Sequence, residues 1–277
     1  MKGKFILFHG SASLSCPSDR LDKAIEFVRC LVSEILSREG GVAVLAGDEQ
    51  GTRDDEGNPH IFDWIVLREV LRYVESTIDP QRKCVYVVMS NTAWQSKIEA
   101  ANQKVFSTLQ QRGVVDVKRI RAEEYTGGEY RSAQVQYADG MVALGGGKGT
   151  YTCGQEMAGL GKPVLPLDIE IGAFSEDGRG ALGLLKEFTD SPERFFPRTH
   201  EDLVGRIETL SLQSESNSPS VVAQRAAELF QREFAASSSF GLELVKSRAS
   251  SVWDWVQSLA RVAGIVRAVE ILRGFFP

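Results

Sequence analysis

The sequence predicts an α/β fold of the Rossmann-like class, a doubly wound parallel sheet followed by a C-terminal helical extension. Three observations carry this. Short apolar runs alternate with segments of helical periodicity from residue 4 to residue 167. Several of those runs end in glycine or hydroxyl residues, as strands do when they feed a helix across a ligand crevice. After residue 220 the pattern is helical only.

Taken in order, residues 4–9 read as a buried strand, and Gly10-Ser11-Ala12-Ser13 follow as a loop of glycine and hydroxyls. Leu21, Ile25, Val28, Leu31, Val32 and Ile35 lie at helical spacing over 19–38, which ends at Gly40-Gly41. Residues 42–46 form the second strand. The polar stretch 47–58 after it holds five acidic residues, Asp48, Glu49, Asp54, Asp55 and Glu56, and reads as a surface loop. A helix over 60–78 precedes a third strand over 84–89, and a helix over 95–112 precedes a weaker strand over 114–120. A polar linker then leads to a short helix that ends at Asp139 and carries Arg131, a cation suited to a ligand phosphate.

Residues 139–166 organise the rest. The apolar run Met141-Val142-Ala143-Leu144 meets five glycines in ten residues, Gly145, Gly146, Gly147, Gly149 and Gly154; a helix is expected from about Thr152 to Leu160, then a strand over 164–167. Glycines at such a junction let a ligand approach the main chain, and the helix points its unbonded N–H groups at the same place. This is an anion site, most simply for phosphate. Lys148 adds a charge there, and Thr150 a hydroxyl that serves as helix N-cap or as a donor to phosphate. Gly10, Ser11 and Ser13 are second-rank members of the same site.

Beyond the sheet, 180–188 and 192–212 read as helical and 213–219 as a Ser-rich linker. Two further helices, about 220–236 and 242–274, are expected to form a tail for oligomerisation or for docking a protein partner. The nucleotide-binding domain is thus 1–212 and the tail 220–277. Charged residues interrupt the last apolar region too often for a membrane span. A net charge of −5 argues against a nucleic-acid polymer as partner. The four scattered cysteines and three distant histidines indicate neither a disulfide framework nor a metal site, no cofactor is called for, and the expected compartment is reducing, the cytoplasm.

The residues Ala138-Asp139, the apolar strand and Gly146-Gly147-Lys148-Gly149-Thr150 resemble the AD…PGGxGTxxE signature of the LOG family of phosphoribohydrolases, also called lysine-decarboxylase-like proteins. The run from Gly149-Thr150 to Gly161-Lys162-Pro163 is similar to the corresponding stretch of nucleoside deoxyribosyltransferases. The wider home that this resemblance implies is the SLOG superfamily, which includes nucleotide-signal sensor domains of bacterial anti-phage systems such as Thoeris. In both enzyme families the glutamate three residues after Gly-Thr does the chemistry at the ribose. Here that position is Cys153, and Gly145 stands where the LOG proline would be. Glu156, one helical turn further on, is the displaced carboxylate available to an N-glycosidase. Three readings follow: a sensor for an ADP-ribose-like or cyclic nucleotide, a nucleoside-phosphate N-glycosidase, and an interaction protein with a vestigial pocket.

Overall fold

Six strands pair side by side in one parallel sheet: β1 (Phe5–Ser11), β2 (Gly41–Leu45), β3 (Val85–Ser90), β4 (Val115–Ile120), β5 (Gly140–Gly145) and β6 (Val164–Pro166). Their order is β4-β3-β2-β1-β5-β6. The computed structural model describes residues 1–46, 60–77, 82–90, 98–120, 127–173, 179–203 and 207–237. The helices among them are α1 (Ser18–Ser37), α2 (Asp63–Ser76), α3 (Ala100–Gln111), α4 (Gly127–Tyr137), α5 (Lys148–Gly159), α6 (Gly180–Asp190), α7 (Pro192–Phe195), α8 (His200–Leu203) and α9 (219–237). The doubly wound α/β fold is therefore present as expected. The acidic loop with Asp48 and Asp54 lies outside the described residues, as does the second tail helix.

Burial explains the strand composition. All six residues of β5 are buried, because a central parallel strand is covered on both faces, whereas edge strand β4 exposes Asp116, Arg119 and Lys118 in part. Helix α1 buries Leu21, Ile25, Val28, Val32 and Ile35 as one stripe, each such side chain contributing about 1.5–3 kcal/mol.

Two polar anchors set the ends of the central strands. Asp139 accepts from Phe5 N at 2.9 Å and from Lys4 Nζ at 2.9 Å, so the aspartate of the LOG-like signature ties the start of β5 to β1. Lys162 Nζ donates to the carbonyls of Val135 (2.6 Å) and Ala138 (2.7 Å), capping the C-terminus of α4. Burial lowers the Lys162 pKa, and the nearby Asp139 carboxylate opposes that shift.

The chain divides into Met1–Phe234 and Ala235–Pro277, so the boundary drawn at 213–219 is displaced. Residues 213–219 are tied down rather than loose: Asn217 Nδ2 donates to Glu208 O and Ser211 O, and Ser211 Oγ and Leu212 N both donate to the Asp168 carboxylate. Helix α9, expected in a separate tail, packs Val222, Ala223, Ala226, Ala227 and Phe230 into the core of the sheet domain. Its Glu233 is fully buried and accepts from Arg198 Nη1 (3.0 Å), Arg198 N (3.2 Å) and Thr199 Oγ1 (2.8 Å). A charge taken out of water needs such partners, and they fix where α9 sits.

The single helical segment expected over 192–212 is broken into α7, α8 and a 3₁₀ turn, Ile207–Leu210. Pro197 forces the break: Phe196 before it leaves the helical region at φ −134° and ψ 77°.

Candidate functional site

The strand order reverses at β1, which pairs β2 on one side and β5 on the other. Ligands of open α/β sheets bind at the carboxyl ends of the strands at this switch point. Both glycine loops leave the sheet there, in register: His9 lies beside Ala143, Gly10 beside Leu144 and Ser11 beside Gly145. The structure thus brings together the two segments that the sequence presented 130 residues apart.

The loop after β5 is built by close backbone contacts. Gly146 has φ +73°, and its N–H is shared between Ser11 O (2.8 Å) and Gly172 O (2.9 Å). A side chain on it would overlap the Thr150 hydroxyl and crowd Gly10 Cα. Gly10, at φ +144°, lies so close to the Leu144 carbonyl that a Cβ would fall on the oxygen. Gly145 and Gly146 therefore spend their freedom on loop shape, and Ser11 and Ser13 contribute backbone: Ser13 N donates to Ile171 O at 2.7 Å, while Ser13 Oγ bonds Ser15 Oγ. The segment 167–173 braces both glycine loops from above, a role that its sequence did not announce.

Helix α5 starts at Lys148, four residues earlier than expected, with Gly147 as its N-cap and no side chain capping it. Thr150 is consequently not the N-cap; it lies in the first turn, buried, with Oγ1 3.1 Å from His9 Nδ1. The first-turn N–H groups of Lys148, Gly149 and Thr150 have no intrahelical acceptor. Lys148 and Gly149 are exposed beside them, and a Cβ at Gly149 would meet nothing within 4 Å. Gly154, by contrast, lacks a side chain because Leu184 of α6 packs there.

Deeper along α5, Cys153 is fully buried, and its thiol is pushed up to about 12, chiefly by burial, further by Glu156, with Arg131 opposing. It stays protonated at neutral pH, and is neither base nor nucleophile. Glu156 reaches across to Arg131, Oε1 to Nη1 3.5 Å, joining α5 to α4. Arg131 is thus partnered by a carboxylate rather than standing free for a ligand. His9, one of the three histidines whose spacing indicated no metal site, belongs to this cluster: burial, and secondarily the Arg131 charge, lower its pKa to about 4, so it is a neutral ring. Its place at the end of β1 next to a Gly-Ser loop was the available signal. Among the described residues no group of three or more His, Cys, Asp or Glu is placed to hold a metal ion. No helix among them is long and apolar enough to cross a membrane.

Residues 1–259 match the family described as "ATP nucleosidase Cap17-like, N-terminal". The chain belongs to this Cap17-like family. It is 33% identical over 234 residues to the ATP nucleosidase Cap17 of Escherichia coli strain KTE188, and equally to a second Escherichia coli Cap17. The match covers 84% of this chain and 45% of each relative, so the chain spans about half the length of the curated Cap17 proteins it matches. Among solved structures it is similar to the molybdenum cofactor carrier protein of Chlamydomonas reinhardtii, 16% identical, covering 68% of this chain and 99% of that one with a TM-score of 0.34.

Proposed function

We propose that this chain is a SLOG-type sensor module whose switch-point pocket binds an ADP-ribose-like or cyclic nucleotide, in the setting of bacterial anti-phage defence. The observation that carries the reading is Cys153. The resemblance puts a ribose-reactive glutamate there, and the chain has a fully buried thiol held protonated. What remains is a set of binding devices: unbonded first-turn N–H groups, Lys148, and a neutral His9 turned to Thr150. The relatives named ATP nucleosidases are about twice as long, and in this reading their named activity resides in the part that this chain does not match. The module then acts by favouring one arrangement of its partners when nucleotide is bound, which requires different affinity for two states. Residues 238–277 are proposed as the element that docks a second copy or an effector, in the cytoplasm.

Two measurements on the purified full chain test this. Mass spectrometry of released small molecules, with a thermal-shift screen of adenine nucleotides, should find a bound nucleotide that raises the melting temperature by mass action. Chromatography of the chain incubated with ATP and AMP should find no free adenine above background.

A second reading, N-glycosidase, is favoured by one observation, the Arg131–Glu156 pair one helical turn beyond Cys153, together with the name carried by the relatives. Base release that Glu156→Gln abolishes would replace the sensor reading with this one.

A further inference from the structure

We infer that His9, held in one tautomer by Thr150, presents its Nε2–H to the ribose of the bound nucleotide, and that Gln134 supplies a second uncharged contact to the same sugar. The inference rests on the nucleotide-binding reading above and assigns the residues that read the ligand's uncharged part.

Thr150 Oγ1 lies 3.1 Å from His9 Nδ1, a distance that suits a donor on either side. The hydroxyl proton decides between them. Thr150 is 3% exposed, and among the described residues its Oγ1 has no other hydrogen-bond partner. If Nδ1 carried the ring proton, the hydroxyl would accept it and leave its own buried proton without an acceptor. With the hydroxyl donating to Nδ1 both groups are satisfied, and the neutral ring carries its proton on Nε2. The ring is half-buried, and no described residue bonds Nε2. His9 directly precedes Gly10 and lies in register with Ala143, so this N–H is offered at the switch point beside both glycine loops. The Thr150 hydroxyl thereby acts through His9 and does not meet the ligand itself.

A second polar group without a partner lies on α4. Gln134 is 3% exposed, yet its side-chain amide makes no hydrogen bond with any described residue. A buried amide left unpaired is costly, and a native fold that keeps one calls for an explanation such as a ligand or a bound water. Its place favours the ligand. Gln134 follows Arg131 by three residues, so the two are neighbours on one helix surface, and the Arg131 charge acts on His9. Two residues past α4, Asp139 N donates to Phe5 O at 2.7 Å, which sets Gln134 along β1 between Phe5 and His9. Helical side chains lean towards the N-terminus of their helix, here towards His9. The His9 N–H is a donor, and the amide both donates and accepts, but neither carries a charge. A phosphate is matched by cations and by the first-turn N–H groups of α5, whereas a hydroxyl, itself donor and acceptor, is matched by this uncharged pair. In a nucleotide the hydroxyl-bearing part next to the phosphate is the sugar, so a phosphate on the first turn of α5 brings the ribose to Thr150 and His9.

Calorimetry on the full chain, with inorganic phosphate, ribose 5-phosphate and AMP as probes, tests this together with nitrogen NMR of the histidine rings. Ribose 5-phosphate is expected to bind more tightly than phosphate. His9→Phe and Gln134→Leu should each weaken ribose 5-phosphate and AMP about tenfold and leave phosphate binding as it is, and His9→Gln, whose amide nitrogen falls near the Nε2 position, should lose less than His9→Phe. Without ligand, Gln134→Leu should melt at the same temperature or higher, since it removes an unpaired buried amide. The ring signal that His9→Gln removes should carry its proton on Nε2; Thr150→Val should lose that preference and Thr150→Ser should keep it. A proton on Nδ1, undiminished AMP binding by His9→Phe, or an equal loss of phosphate binding overturns the His9 assignment and leaves the nucleotide pocket standing. A lowered melting temperature in Gln134→Leu gives that residue a structural task and removes it from the site. Binding of neither ribose 5-phosphate nor AMP overturns the sugar contact altogether, while the sensor reading is judged separately by the released nucleotide.

Discussion

Gly10 and Gly149 lack a side chain for opposite reasons. Gly10 holds φ +144° with the Leu144 carbonyl where its Cβ would be, so Gly10→Ala should cost about 3 kcal/mol or more, seen as a lower melting temperature. Nothing in the fold requires glycine at 149: its surroundings are open and it lies in a helical first turn. Gly149→Ala should therefore raise stability, by about 0.5–1 kcal/mol, and weaken nucleotide binding by obstructing the approach to the backbone. A more stable variant with unchanged affinity would remove Gly149 from the site. His9 makes a pH-dependent contribution. Its folded pKa, about 4, lies below the ordinary histidine value of 6.5, so the folded chain prefers the neutral ring. Between those values the unfolded chain binds more protons, and stability falls as pH drops from 6.5 towards 4. The loss is on the order of 2 kcal/mol for a partly exposed ring, and His9→Asn should abolish that share of the acid sensitivity in melts from pH 7 to 4.5.

At the scale of elements, the instructive case is α9. Its periodicity was legible, but its partner was not: a helix with Phe230 and Phe234 on one face announces that it will be buried, not where. The structure sets Phe230 against Phe196 (ring centroids 5.6 Å) and Phe234 (6.1 Å), and beside Gly140, where a Cβ would lie 2.9 Å from its ring. Phe230→Ala should destabilise the domain by about 3–5 kcal/mol in denaturant unfolding. A chain ending at 237 should keep a cooperative transition, and one ending at 216 should lose it, since α9 and the buried Glu233 pairs go with it. Retention of cooperative unfolding by the shorter chain would restore the boundary at 213–219. Helix α5 shows the companion case: the glycines hid its first turn, because intrinsic propensity counts against helix at Lys148-Gly149 while the fold begins it there.

For the whole molecule, period-two and period-3.6 patterns, with glycines at strand ends, determined the class of fold and marked the glycine loop as the candidate anion site, because both readings follow from local chemistry. The motif also carried the loss of the glutamate at Cys153. Distance in space was decided by tertiary structure alone. The strand order brought Gly10 and His9 to Gly145 and Thr150, paired Arg131 with Glu156, and set the 167–173 segment across both loops. The physical reason is that an interior site is assembled from residues whose charges and hydrogen bonds are satisfied by partners far along the chain. Sequence spacing reports neighbours along a helix or strand; which carboxylate neutralises which arginine is settled only when the sheet has closed on its helices.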